Sequence, residues 1–393
     1  MSSLLVVAGE ASGDRAAAAV VARLAGVRAF GLGGPALASR GVELVRDLRA
    51  STALGVGEAG ARAGSVLLAW RAVLRAARRV RPTAALLVNY TEFNARLAPR
   101  LHAAGMRVLW YGAPQVWAWR AWRTGSLRRG IDRMAVMLPF EEAIWRAAGV
   151  DAHYVGHPAL ETPQLDRDAA RRALGMTPYA AAIAVLPGSR PHEARRLLIP
   201  MLDAYERVRS DRASVDARVL VAGGLDDPTR RWVRAVCKAR HVATYDVDPC
   251  IGALGVLRAF DASLCASGTA SLEAALAGAV PVVAYRVAVT TELAARLFLR
   301  APNVALPNVL LGYRAFAELL QREARAERMA DALADALDRR PALVEACGAV
   351  EAALVRGPLL GAPAGGETAG ARTPSIAVAR MLVPWLGVDA RAA

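Results

Sequence analysis

Short apolar runs alternate with longer helical patterns over residues 1–160 of the chain. An unbroken apolar run between turn residues is typical of a strand buried on both faces, as in a parallel sheet. The first run ends at a Gly-rich turn and passes into an Ala/Val-rich helical stretch, the first half of a βαβ unit. An Arg-rich helix is predicted over residues 62–80. The predicted strands are Leu4 to Ala8, Val27 to Leu32, Ala84 to Val88, Arg107 to Tyr111 and Met134 to Leu138.

The same alternation begins again after residue 165. We therefore predict the α/β class, with two Rossmann-like doubly wound domains facing a cleft, at residues 1–160 and 165–350. Residues 357–374 are rich in Gly, Ala and Pro and predict a flexible connection to a C-terminal apolar segment at 375–393. Ligands of open α/β sheets bind at the carboxyl ends of the strands, so two substrates are expected to meet between the domains. The strands predicted here are Ala181 to Leu186, Ala217 to Ala222, Ala262 to Cys265 and Val280 to Tyr285.

Composition narrows the class of protein further. The chain has 393 residues, of which 55% are apolar and 22% charged, and this excludes a disordered chain. The net charge of +15 favours anionic partners such as phosphates, nucleotides, acidic lipid or nucleic acid. The four cysteines are scattered without a CxxC pair, which predicts a reducing compartment and neither a zinc site nor a disulfide framework. No long apolar stretch lacks both charge and proline, so we expect a chain that does not span a membrane but can lie on one.

The turn after the strand at 181–186 carries a candidate phosphate site. Gly188 and Ser189 allow a tight strand-to-helix turn with exposed backbone N–H groups, and Arg190 adds a guanidinium suited to phosphate. Glu193 follows one turn later. The alternative is an ordinary βα turn with an exposed arginine.

The turn after the strand at 262–265 is a second candidate site for an anion. Ser267 and Thr269 flank Gly268 where a helix should begin, so either hydroxyl can cap that helix while its N-terminus attracts an anion. Glu273 falls one turn later and could accept hydrogen bonds from sugar hydroxyls. The alternative is a capping box in which Glu273 is the acidic member.

Further polar residues follow the first strand and lie at the predicted domain junction. Glu10 is expected at the carboxyl edge of the sheet, where an acid can serve as a general acid or base. Asp14 is better explained as a partner of the helix N-terminus. His157 is either a structural turn residue or a substrate-side group.

Residues 110–122 contain four of the eight tryptophans, with Arg120 among them and Arg123 directly after them. Tryptophan beside arginine suits a membrane interface, an acyl-binding face or a nucleic-acid stacking surface, and the alternative is packing in the core. No nucleic-acid-binding motif accompanies the segment, so we predict no nucleic-acid partner. The residues assigned to membrane or acyl contact are Trp117, Trp119, Trp122, Arg120 and Arg123.

Eight motifs in order make the chain resemble the lipid-A-disaccharide synthase family, whose members have the two-domain GT-B architecture. The resemblance covers residues 8 to about 320. The motifs are AGEASGD (8–14), GLGGPAL (31–37), APQVWAWR (113–120), LPFE (138–141), YVGHP (154–158), LPGSR (186–190) with Glu193, ASGTASLEAALAG with PVVAYR (266–286), and LPNVLLG (306–312).

The resemblance implies an inverting glycosyltransferase without a cofactor or bound metal. Its donor would be UDP-2,3-diacylglucosamine, its acceptor 2,3-diacylglucosamine 1-phosphate, and its product the β-1,6-linked lipid A disaccharide phosphate. The second domain would bind the donor, with Asn308 lining that site and Glu273 on the ribose. The first domain, with Ser12 and His157 on the substrate side, would bind the acceptor. The enzyme would be cytoplasmic, on the anionic inner face of the inner membrane of a Gram-negative bacterium, and a homodimer is left open.

One departure from the family pattern concerns the general base. After the strand at 84–88 the family has Asp-Ala-Pro-Asp-Phe-Asn, where this chain has Asn89-Tyr90-Thr91-Glu92-Phe93-Asn94. Asn89 cannot accept a proton at neutral pH, so either Glu92 or Glu10 is expected to act as base. The alternatives are a GT-B enzyme or epimerase with another acceptor, and a catalytically weakened relative that binds UDP-sugar or lipid.

Overall fold

A computed structural model of the protein describes residues 2–47, 59–118, 121–178, 180–212, 214–286, 303–356 and 373–389. The chain divides into two compact units. Unit 1 is Met1–Glu161 with Leu354–Ala393, and unit 2 is Thr162–Ala353. Residues 357–372 of the predicted flexible connection lie outside the described residues.

Unit 1 is built on a seven-stranded parallel sheet with the order β3-β2-β1-β4-β5-β6-β7. Its strands are β1 (Ser3–Ala8), β2 (Arg28–Gly33), β3 (Glu43–Asp47), β4 (Ala84–Val88), β5 (Arg107–Tyr111), β6 (Arg133–Val136) and β7 (Ala152–Tyr154). Its first helices are α1 (Ala11–Ala22), α2 (Pro35–Ala38), α3 (Ala59–Val80), α4 (Thr91–Ala103), α5 (Thr124–Leu127) and α6 (Glu141–Ala147), with 3-10 turns at Ala121–Arg123 and Pro158–Glu161.

Unit 2 is built on a six-stranded parallel sheet with the order β10-β9-β8-β11-β12-β13. Its strands are β8 (Ala181–Leu186), β9 (Val215–Val221), β10 (Ala243–Asp246), β11 (Ala262–Ala266), β12 (Val280–Tyr285) and β13 (Glu318–Leu320). Its helices are α7 (Arg167–Ala173), α8 (Pro191–Asp211), α9 (Asp227–Ala239), α10 (Leu254–Leu257), α11 (Thr269–Leu276), α12 (Leu306–Leu311), α13 (Ala326–Asp338) and α14 (Arg340–Arg356), with a 3-10 turn at Gln321–Glu323.

The strand order reverses direction once in each sheet. In unit 1 the reversal lies between β1 and β4, and in unit 2 between β8 and β11. The connections on either side of such a reversal diverge, which opens a crevice at the carboxyl ends of the two strands. The predicted α/β class with two doubly wound sheets is confirmed.

The central strands of both sheets are buried because their side chains are apolar on both faces. In β1, Leu4 and Val6 pack into the core on one side of the sheet, while Leu5 and Val7 pack into the core on the other. The strands that were not predicted, β3, β7, β10 and β13, are the outermost strands of the two sheets.

The chain returns to unit 1 in a last helix, α15 (Pro374–Leu386), whose Val378 and Leu382 are buried in the core beside α1. The first turn of α15 is held by Glu161, which accepts hydrogen bonds from Ser375 N (3.0 Å) and Ser375 Oγ (2.6 Å). None of the described helices is both long enough and apolar enough to cross a bilayer.

Candidate active site

The turn that follows β8 is shaped by a glycine at the carboxyl edge of the sheet of unit 2. Gly188 has a φ of +120°, and a Cβ atom there would lie 2.5 Å from Glu193 Cβ. Only glycine fits this close approach without displacing α8. Ser189 and Arg190 are exposed directly after it.

Glu193 fixes both the helix and the arginine at this turn. Its carboxylate accepts hydrogen bonds from Arg190 N (3.3 Å) and from Arg190 Nη1 (3.1 Å). The first bond caps α8, and the second orients a guanidinium that remains half-exposed, with 49% of the side chain accessible. Tyr285, at the end of β12, faces the same pair: burial and then the charge of Glu193 raise the pKa of its hydroxyl, while Arg190 opposes the shift.

The turn that follows β11 lies beside the β8 turn, because the two strands are paired. Gly268 is the N-cap residue of α11, with a φ of +139°, and no side chain caps this helix. The predicted caps by Ser267 or Thr269 are therefore wrong. The alternative capping box is also wrong, because the third residue of the helix is Ser271, whose hydroxyl donates to Gly268 O (2.8 Å).

The uncapped first turn of α11 presents backbone N–H groups and the positive end of the helix dipole at this edge. Ser267 and Thr269 are half-buried beside it, and Glu273 is 8% exposed one turn further on. Together with Arg190, the turn forms a surface suited to a phosphate or diphosphate.

Asn308 does not join this surface through its side chain. Its Nδ2 donates to Phe316 O (2.9 Å) and Glu318 Oε1 (2.8 Å), and its Oδ1 accepts from Ala315 N (3.0 Å) and Phe316 N (2.9 Å). These four bonds use the whole hydrogen-bonding capacity of the amide. The side chain thus holds the turn between α12 and β13.

The corresponding edge of unit 1 brings together the turns after β1 and β4, which are paired strands. Gly9 passes directly under the Tyr90 ring, since a Cβ atom there would lie 2.0 Å from Tyr90 Cγ. Glu10 is the N-cap residue of α1 and is half-buried, and Ser12 is half-buried in the first turn. Glu10 therefore lies at the predicted edge.

The backbone of the β4 turn is strained. Asn89 and Tyr90 both adopt left-handed φ values, +49° and +45°. Two such residues in succession cost about 1–3 kcal/mol each, and strain of this kind concentrates at functional sites. The turn is held by Asn89 N donating to Tyr111 O (2.9 Å) and by Asn94 Nδ2 donating to Asn89 O (2.8 Å).

The Asn89 side chain fills a space between two glycines. A Cβ atom at Gly112 would lie 2.1 Å from Asn89 Oδ1, and one at Gly13 would lie 3.5 Å from Asn89 Nδ2. The amide thus occupies the switch point itself, between α1 and the turn after β5.

Glu92 is paired with an arginine of the Trp/Arg segment. Both carboxylate oxygens accept hydrogen bonds from the Arg123 guanidinium, the second at 3.0 Å. The Glu92 side chain is 58% exposed. To act as a base, the Glu92 carboxylate would have to take the proton while paired with Arg123 or after that pair breaks. The sequence did not predict this ion pair.

The Trp/Arg segment divides into buried and exposed parts. Trp117 is half-buried against Phe140, with ring centroids 5.1 Å apart in an edge-to-face arrangement. Trp122 is 63% exposed. Trp119 and Arg120 lie outside the described residues.

A buried acid that the sequence analysis did not assign contacts Trp117. Glu141 begins α6, is 2% exposed, and accepts from Trp117 Nε1 (3.1 Å) and Leu138 N (3.1 Å). Burial raises its pKa to about 7. Its membership of the LPFE motif was the only signal in the sequence.

Two other polar residues considered in the sequence, His157 and Asp14, are buried in unit 1. His157 Nδ1 accepts from Ala159 N (3.2 Å), and burial lowers the pKa of the imidazole to about 4, so it is neutral near pH 7. Asp14 does not cap its own helix. It accepts hydrogen bonds from Gly34 N (2.7 Å) and Ala36 N (2.9 Å), and so fixes the first turn of α2.

No group of three or more His, Cys, Asp or Glu side chains suited to a metal ion occurs within the described ranges. At the carboxyl edges of both sheets, the charge comes from arginines, carboxylates and the dipoles of helix termini.

Solved structures of two enzyme classes share this fold. A putative UDP-N-acetylglucosamine 2-epimerase from Listeria monocytogenes superimposes with a TM-score of 0.65 at 12% identity, covering 99% of this chain and 98% of that chain. A spinosyn rhamnosyltransferase complexed with thymidine diphosphate superimposes with a TM-score of 0.55 at 15% identity, covering 97% and 100%. The chain therefore has the two-domain GT-B fold, which these glycosyltransferases and epimerases share.

Sequence comparison identifies the family within that class. The family model for lipid-A-disaccharide synthetase matches residues 4–344. A lipid-A-disaccharide synthase of Myxococcus xanthus (strain DK1622) is 41% identical over 334 residues, which is 84% of this chain and 86% of the relative. The chain belongs to the lipid-A-disaccharide synthetase family and is a glycosyltransferase, so the resemblance read from the motifs is confirmed.

Proposed function

We propose that the protein transfers a 2,3-diacylglucosaminyl unit from UDP to the 6-hydroxyl of 2,3-diacylglucosamine 1-phosphate. The anomeric carbon is inverted, UDP leaves, and the product is the β-1,6-linked lipid A disaccharide 1-phosphate. Family membership supports the reaction. One structural observation supports the donor site: Arg190 and the uncapped N-terminus of α11 follow the paired strands β8 and β11 at the switch point of unit 2.

The donor site acts on the leaving group. As the bond between the sugar and the diphosphate breaks, negative charge grows on UDP. The Arg190 guanidinium and the first turn of α11 are already in place to stabilise it, so little reorganisation is needed. Glu193 keeps Arg190 oriented. Gly188, Ser189, Ser267, Gly268 and Thr269 bring the backbone close to the phosphates, and Glu273 receives the ribose.

The acceptor site lies at the switch point of unit 1. A carboxylate takes the proton of the acceptor 6-hydroxyl as its oxygen bonds to the anomeric carbon. Glu92 and Glu10 are the two candidates, and Asn89 orients the acceptor by hydrogen bonding because an amide cannot take the proton. If Glu92 is the base, it takes the proton while its carboxylate is paired with Arg123.

Replacing each carboxylate identifies the base. Glu92→Gln or Glu10→Gln should lower kcat about 10²–10⁴-fold, because a positioned general base contributes that much, and should leave UDP affinity unchanged. Glu43→Gln is the control, since Glu43 begins β3 at the opposite edge and is exposed. If both variants kept full kcat, the base assignment would be wrong.

Turnover by the purified chain tests the function itself. UDP-2,3-diacylglucosamine and 2,3-diacylglucosamine 1-phosphate should give the disaccharide phosphate and UDP in equal amounts, detected by mass spectrometry. Arg190→Ala should raise the donor KM about tenfold or more, and Arg196→Ala, exposed on the same helix, should not. UDP binding without any product would favour the weakened relative. A chain that neither binds UDP nor turns over would refute the proposal.

Because both proposed substrates are lipids, the reaction is expected to take place at a membrane surface. We place the enzyme on the anionic inner face of the inner membrane. Exposed Leu67 and Leu68 lie on α3 near Arg71, Arg75 and Arg78, which make no ion pair with another described residue. Apolar side chains beside cations suit an anionic bilayer, as does exposed Trp122.

Vesicle sedimentation tests this placement. The protein should bind vesicles containing anionic phospholipid, and binding should weaken as salt is raised. Arg71→Ser with Arg75→Ser should reduce binding, whereas Arg207→Ser, on α8 of unit 2, should not. Equal binding to neutral and anionic vesicles would contradict the electrostatic part of the placement.

A further inference from the structure

Glu141 is buried where a carboxylate is costly. It is 2% exposed, and the groups that lower its pKa are all N–H donors: the Trp117 indole, Leu138 N and Met137 N. Burying a carboxylate without a cationic partner is expensive, because fixed N–H groups replace its hydration only in part. A neutral side chain of the same size would be cheaper at this position, so stability alone does not account for the acid.

The acid joins two turns at the carboxyl edge of unit 1. Its Oε2 accepts from Leu138 N in the turn after β6, and its Oε1 accepts from Trp117 Nε1 in the turn after β5. Above its raised pKa Glu141 is ionised, and a hydrogen bond to an ionised acceptor is about twice as strong as one between neutral groups. The Phe140 ring packs edge-on against the indole, so the orientation of Trp117 is fixed by a polar and an apolar contact together.

Beyond Trp117 the chain leads to the candidate base. Arg123, six positions later, forms the bidentate pair with Glu92. Residues 113–118 therefore contact Glu141 through Trp117, and Arg123, further along the chain, contacts Glu92. Losing the contact to Glu141 would release residues 113–118 beside the switch point, where the acceptor is proposed to bind.

We propose that Glu141 is a positioning residue for the acceptor, acting through Trp117 to hold residues 113–118 against the edge of unit 1. The inference rests on the proposed function, in which the acceptor binds to this unit. Glu141 itself does not touch the substrate or move a proton.

Steady-state kinetics with both substrates varied give the first test. Glu141→Ala and Trp117→Phe should each raise the acceptor KM about tenfold, the size expected for one lost hydrogen bond to a charged group, and leave the donor KM within twofold. Glu141→Gln, which keeps an oxygen for the indole N–H, should recover part of the loss. Glu142→Gln is the matched control on the same helix, because its carboxylate contacts Arg146 and Tyr154 N instead.

A double-mutant cycle separates positioning through Trp117 from a general loss of structure. If Glu141 acts through Trp117, the double variant should be no worse than either single variant. Additive effects, or an unchanged acceptor KM in Trp117→Phe, would overturn the proposal. Because Trp117→Phe removes the indole N–H donor but leaves Glu141 in place and keeps an aromatic ring beside Phe140, it remains informative if Glu141→Ala does not fold.

A measurement that does not depend on turnover distinguishes failure of the proposed function from failure of the positioning role. The indole N–H resonance of Trp117 in ¹⁵N-labelled full-length protein should shift upfield in Glu141→Ala and move little in Glu142→Gln. If wild-type protein makes no disaccharide but this shift occurs, the proposed function fails and the contact stands. If wild-type protein turns over and neither the resonance nor the acceptor KM responds to Glu141→Ala, the positioning role fails alone.

Discussion

The buried acid Glu141 makes the stability of unit 1 depend on pH in a direction opposite to most carboxylates. Its pKa is raised from 4.5 to about 7 by burial. Between these values the folded state holds a proton that the unfolded state has lost, so the stability present below pH 4.5 declines as the pH rises to 7. A shift of that size corresponds to about 3 kcal/mol, since each unit is worth about 1.4 kcal/mol.

Glu141→Gln removes this dependence because the amide does not titrate. The free energy of unfolding should therefore fall about 2–3 kcal/mol more for the wild type than for the variant between pH 5 and pH 8. Comparing the two pH values within each protein cancels any pH-independent cost of the substitution.

Tryptophan emission during urea denaturation is a suitable assay. Of the eight tryptophans only Trp232 lies in unit 2, so the signal reports mainly on unit 1. The Glu142→Gln variant is the control and should retain the wild-type pH dependence. Identical pH dependence in wild type and Glu141→Gln would refute the assignment of a raised pKa to this burial.

Three other predictions concern buried or strained positions. His157, with its pKa lowered from 6.5 to about 4, contributes stability that is lost as the pH falls through this window, so His157→Asn should reduce the acid-induced loss by up to about 3 kcal/mol in the same denaturation assay. Gly188→Ala should destabilise unit 2 by about 1–3 kcal/mol and weaken UDP binding by calorimetry, whereas Gly348→Ala, in open space within α14, should not. Asn308→Ala should lower the melting temperature of unit 2 while UDP affinity in the folded protein stays within about threefold, because the amide is fully engaged internally.

The pattern of apolar residues along the sequence predicts the central strands of both sheets but not the outer ones. Strands β1, β4, β8 and β12 are apolar on both faces because helices cover both sides, and that pattern is visible along the chain. The outermost strands carry polar residues, as Glu43 and Asp47 show at the two ends of β3, because one edge lacks a neighbouring strand. Their pairing depends on the sheet already present, so no local pattern predicts them.

The sequence predicts which turns carry the candidate site, but it does not predict the contacts that their residues make. Turn residues after buried strands located Arg190, Gly268 and Glu10 at the sheet edges, since parallel strands bring their carboxyl ends together. The contacts of these residues come from distant parts of the chain. The pairing of Glu92 with Arg123 and of Trp117 with Glu141 depends on how neighbouring turns pack, which sequence spacing does not encode.

Hydrogen exchange of the full-length chain, with UDP alone and with 2,3-diacylglucosamine 1-phosphate alone, tests most directly where each substrate binds. UDP is predicted to slow exchange in residues 187–193 and 267–271, and the acceptor to slow it in residues 89–94 and 113–118. Protection by UDP confined to unit 1, or no protection by UDP anywhere in the chain, would contradict a donor site built from Arg190 and the first turn of α11.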